Sequence, residues 1–93
     1  MMSDAAQQIE IFRDFAKNHL KIHSSQLNAP YQNQEPAFLK LGHEAYRERQ
    51  QIFEKELTEK IDQIITDENQ FLRPALEELK NRFMEKLRPG VNY

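Results

Sequence analysis

The chain of 93 residues contains no cysteine, which excludes disulfides, thiolate zinc sites and cysteine nucleophiles at once. Glycine is almost as scarce, with Gly42 and Gly90 the only two. Hairpin-rich β folds draw heavily on such residues for turns that need positive φ, so this composition argues against an all-β architecture. The same scarcity leaves no glycine-rich loop to cradle a phosphate and no glycine cluster to build an oxyanion hole. No stretch approaches the roughly 18 uninterrupted apolar residues of a membrane span. The opening segment MMSDAAQQIEIFRDF has neither the basic start nor the apolar run of a secretory signal, so a cytoplasmic location is expected. Charge of one sign is also lacking. Thirteen basic and 15 acidic residues give a net charge of −2, too balanced to displace the counterions of a nucleic acid.

What is present is helical patterning. Hydrophobic residues make up 39% and charged residues 30% of the chain, the mixture of a folded domain with a solvated exterior. The length suits one domain, residues 1–93, and is short for two separate cores. A first helix is predicted over about 4–23, with Asp4 and Gln7 forming an imperfect capping box. Ile9, Phe12, Ala16, Leu20 and Leu27 share one face at about 100° per residue, and Ile11, Phe15 and Ile22 widen it. An arc that broad suits contact with two other helices. Residues 24–36, SSQLNAPYQNQEP, lose the periodicity and read as a loop, pinned by Leu27 and Tyr31.

Two further helices are predicted over about 37–66 and 68–88, with a tail over 89–93. Pro36 suits a helix start, and Pro36 to Leu41 reads either as a short turn closed by Gly42 or as the opening of a longer helix. Tyr46, Phe53, Leu57, Ile61, Ile64 and Ile65 form the second stripe, and Leu72, Leu76, Leu79, Phe83 and Leu87 the third. Between them Thr66 or Asp67 is a candidate cap, and Pro74 a candidate first-turn residue. A kink at Pro74 would produce one bent rod, and a reversal a compact bundle. Because Phe53, Leu57, Ile61 and Ile65 advance by fours, the stripe rotates instead of holding a heptad seam. The expected fold is therefore an all-α three-helix bundle, or helical hairpin with an N-terminal helix, able to self-associate.

Few residues invite chemistry. His19 and His23 stand four apart, which places both imidazoles on one helix face, the spacing of two ligands of one metal ion. A third ligand would have to come from His43, near Glu44, or from an acidic residue such as Glu35; the alternative is ordinary packing at the border of the apolar arc. Glu56 and Glu59 have the spacing of a magnesium-binding ExxE pair, but interleaved lysines make them a solvated face, with Glu56 and Lys60 as an i,i+4 ion pair. Lys40, Arg47 and Arg49 form a basic cluster that neighbouring glutamates offset, so nucleic acid is not an expected partner. Ser24 and Ser25 beside His23 lack the geometry of a nucleophile and base. The residues thus point to a non-enzymatic protein–protein interaction module without a cofactor, acting through amphipathic helix faces on a protein partner or on a second copy. Tyr31, Phe38, Tyr46 and Phe53 are the candidate contacts, and metal binding by His19 and His23 is the alternative.

Overall fold

A computed structural model describes the backbone of residues 4–28 and 36–88 and the side chains of 4–27 and 44–88. Three helices, α1 (Asp4–Asn28), α2 (Pro36–Ile64) and α3 (Arg73–Lys86), pack against one another, and the described residues contain no strand. The protein is an all-α three-helix bundle.

Spacing by threes and fours explains which faces turn inward. Phe12, Ala16, Leu20 and Leu27 of α1 meet Phe53, Leu57, Ile61 and Ile64 of α2 and Leu76, Phe83 and Leu87 on the α3 side in one continuous core. α1 touches both other helices, as its broad apolar arc implies. Each fully enclosed leucine or phenylalanine contributes about 1.5–3 kcal/mol of hydrophobic stabilisation.

Helix α1 continues to Asn28, five residues past the expected end at 23. Ser24, Ser25 and Asn28 are poor helix formers, but Ser24 and Leu27 are buried, so packing of this last turn overrides local preference. The loop expected over 24–36 is therefore shorter at its start. Helix α2 runs straight through Gly42, which decides between the two readings of Pro36 to Leu41 in favour of the longer helix. Glycine there costs about 1 kcal/mol relative to alanine.

The chain reverses after Ile64 instead of kinking, and Asn69 organises the turn. Its Oδ1 accepts from the Thr66 amide at 2.5 Å and its Nδ2 donates to the Ile64 carbonyl at 3.0 Å, closing the end of α2. A 3-10 turn over Gln70–Leu72 then leads into α3, with Pro74 in its first turn. Neither Thr66 nor Asp67 caps α3: the capping position is Leu72, with no side-chain bond. A proline in the first turn needs no such acceptor for its own nitrogen. The two later helices accordingly span Pro36–Ile64 and Arg73–Lys86, shorter toward the turn than the expected 37–66 and 68–88.

Leu57 is fully buried where α2 faces the core, whereas Lys17 is exposed. Leu57→Ala is expected to lower unfolding free energy by about 2–5 kcal/mol and Lys17→Ala by no more than about 0.5 kcal/mol. Urea titration followed by circular dichroism checks the pair; equal midpoints would contradict the assigned core.

Candidate functional site

His19 and His23 emerge one turn apart on α1, and opposite them α2 supplies Glu56. The Glu56 carboxylate divides between the two rings. Its Oε1 lies 2.6 Å from His23 Nε2 and its Oε2 contacts His19 Nδ1. One ligand-capable atom from each residue falls within 4.8 Å of the others. The site straddles the α1–α2 seam, with His23 only 5% exposed while His19 and Glu56 are 29% and 24% exposed.

Aromatic rings hold the imidazoles in place. Phe15 stacks on His19 at 4.1 Å between centroids, and Phe53 sits against His23 at 5.6 Å. Lys60 Nζ lies 5.2 Å from the centre of the Phe15 ring, a cation–π contact on the same seam. Glu56 thus pairs with the two histidines and not, as its spacing suggested, with Lys60. Across an ion pair on one helix the gain is a few tenths of a kcal/mol, and a half-buried carboxylate with two ring donors has more to offer.

A carboxylate oxygen accepts, and which ring nitrogen donates to it depends on the tautomer. The second nitrogen of the His23 ring, Nδ1, is buried without a hydrogen-bond partner. An unsatisfied buried polar atom costs about 1–3 kcal/mol, so the cluster is not arranged for stability alone.

The aromatic candidates fare differently. Phe53 is fully buried and belongs to the core, so its side chain is not a surface for a partner. Tyr46 is half-buried against the core, and its hydroxyl accepts from Gln50 Nε2 at 2.9 Å. Tyr31 and the side chains of Phe38 and His43 lie outside the described residues, as does Glu35. Among the described residues, the large apolar side chains left exposed are instead Ile11, Ile22 and Phe71, at 40%, 50% and 72%. Ile11 and Ile22 are 11 residues apart, close to three full turns, and therefore point the same way along α1, with Phe15 on the same line. Asp4 and Gln8 continue that line toward the N-terminus, where they help to line a groove of about 430 Å³ together with Ile64, Leu72 and Phe71.

Comparison with known proteins adds nothing to this geometry: no family model, curated protein sequence or solved structure matches the chain.

Removing Glu56 would strip the acceptor from a buried imidazole donor. Glu56→Ala is expected to destabilise the fold by about 1–3 kcal/mol, against no more than about 0.5 kcal/mol for the exposed Glu54→Ala. Chemical denaturation of both variants measures the difference, and parity between them would show that the carboxylate does not hold the seam.

Proposed function

We propose that the chain is a non-enzymatic protein–protein interaction module that works through one flank of α1, and that its partner is a second copy of itself. The observation that carries this reading is the line of Ile11, Phe15 and Ile22, two of whose members remain 40% and 50% exposed on a helix whose other apolar face is already consumed by the core. Exposed isoleucines in register on a rigid helix are suited to helix-on-helix docking.

The spacing favours self-association because it is symmetric. Turning the line end for end about a point between Phe15 and Asn18 sets Ile11 of each copy against Ile22 of the other. A two-fold interface requires this kind of self-complementarity. The near-neutral charge of −2 sets up little repulsion between copies. Phe71 and the groove beside it extend the same flank beyond the first turn of α1, adding apolar surface at the rim. A non-catalytic role is supported by the composition, which includes no cysteine thiol and no glycine-rich anion cradle. The cysteine-free composition agrees with a cytoplasmic setting.

Sedimentation equilibrium at tens of micromolar tests the proposal. The wild-type chain is expected to form a reversible dimer. The Ile11→Glu, Ile22→Glu double variant is expected to weaken it at least about tenfold, because each lost interface anchor costs about 1 kcal/mol or more. Helix content should be unchanged, since both side chains lie outside the core. A strictly monomeric wild type over that range would overturn the reading.

A further inference from the structure

The geometry points to a divalent transition-metal site at the α1–α2 seam, with His19 Nδ1, His23 Nε2 and a Glu56 carboxylate oxygen as its ligands. Two imidazole nitrogens and one carboxylate oxygen form a borderline donor set, which suits Zn²⁺ and its Co²⁺ and Ni²⁺ analogues in preference to Ca²⁺ or Mg²⁺, which take oxygen ligands. The ligand set holds neither thiolate nor thioether, the soft donors that would select Cu⁺.

Three features of the structure carry the inference. First, the donors come from two rigid helices already packed against each other, so little ordering is required when the ion enters. Second, the donor atoms lie within 4.8 Å of one another. A tetrahedral zinc with ligands at about 2.0–2.2 Å spaces its donors about 3.3 Å apart, a distance reachable by small side-chain rotations. Third, the site is closed on the His23 side, where only 5% of the side chain is exposed, and open toward His19 and Glu56. Three protein ligands with one open side leave the fourth position to water.

The same geometry limits the affinity. An ion on His23 Nε2 obliges the ring to carry its proton on Nδ1, and that buried atom has no acceptor. Metal-bound histidines that lose such a supporting partner bind about 10–100-fold more weakly. The site is therefore one that exchanges its ion, not one that the fold requires.

Calorimetric titration of the full chain with zinc chloride tests the assignment, alongside His19→Ala, Glu56→Gln and His43→Ala. The expected result is one zinc per wild-type chain. Binding should weaken at least about tenfold in the first two variants and be retained in the third, with all four chains equally helical by circular dichroism. Should His19→Ala or Glu56→Gln fail to fold, the wild type with Co²⁺ provides the readout, through the intense visible absorption of a four-coordinate ion. Equal zinc binding by wild type and the folded ligand variants, no heat at high-micromolar zinc, or a six-coordinate Co²⁺ spectrum would each overturn the site. Glu56 would then be only a hydrogen-bonded link between helices. The isoleucine substitutions that test self-association touch none of these ligands, so either proposal can fail while the other stands.

Discussion

Packing of one face of α1 into the angle between α2 and α3 fixes the position of everything else in this protein. Phe12, Ala16, Leu20 and Leu27 form that face, and Phe12 and Ala16 are completely enclosed. Because the face is a helical stripe, its rotation determines where all other α1 residues point. His23 falls within the stripe and is drawn inward. His19 falls on the border toward α2, and Ile11 and Ile22 fall beyond it. A rotation of α1 by even one residue, about 100°, would bury the isoleucines and remove the imidazoles from reach of Glu56. The hydrophobic register thus positions the polar groups as well as the core.

At the seam, hydrophobic and electrostatic demands compete. His23 occupies a place where an aliphatic side chain would pack without an unsatisfied nitrogen, and Glu56 gives up part of its hydration to meet it. Replacing buried polar pairs by apolar residues of similar volume is often neutral or stabilising, so this trio is a poor device for stability by itself. Its two ring–carboxylate contacts recover part of the desolvation cost, and Phe15 and Phe53 fix the ring planes. The result is a set of lone pairs held together on a rigid frame. Such preorganisation lowers the reorganisation cost of binding a cation, which is why the site has chemical meaning beyond its role in packing.

Much of the fold was legible because it depends on periodicity. The three stripes identified the core residues, the advance by fours argued against a sustained coiled coil, and Pro74 marked the start of α3. The misjudged parts depend on tertiary context. Local propensity ended α1 at His23, yet Leu27 repeats the inward spacing and holds the last turn in place. Charge spacing assigned Glu56 to Lys60, although Glu56 lies on the border of the Phe53–Leu57–Ile61 stripe and not opposite it. A helical wheel could have flagged that position. The identity of its neighbour across the seam could not be read that way, since the phase between two helices is set by packing and not by either sequence segment alone. For the same reason aromatic character was a poor guide to exposure: Phe53 went to the core, while Ile11 and Ile22, counted as core, did not.

Phe15 is where the two functional readings meet. Its ring stacks on His19, receives Lys60 from α2 and shares the line of Ile11 and Ile22. A second chain seated on that line would cover the outer side of Phe15 and restrict the ring against His19. Restricting one ligand of a three-ligand site changes its affinity by an amount that must appear equally in the association constant, since coupling between two binding events is reciprocal. The magnitude is bounded by the few contacts involved, as residues in direct contact couple by about 0.5–3 kcal/mol. The proposed self-association and the proposed ion site would therefore be separable by substitution and yet linked in energy through a single aromatic ring.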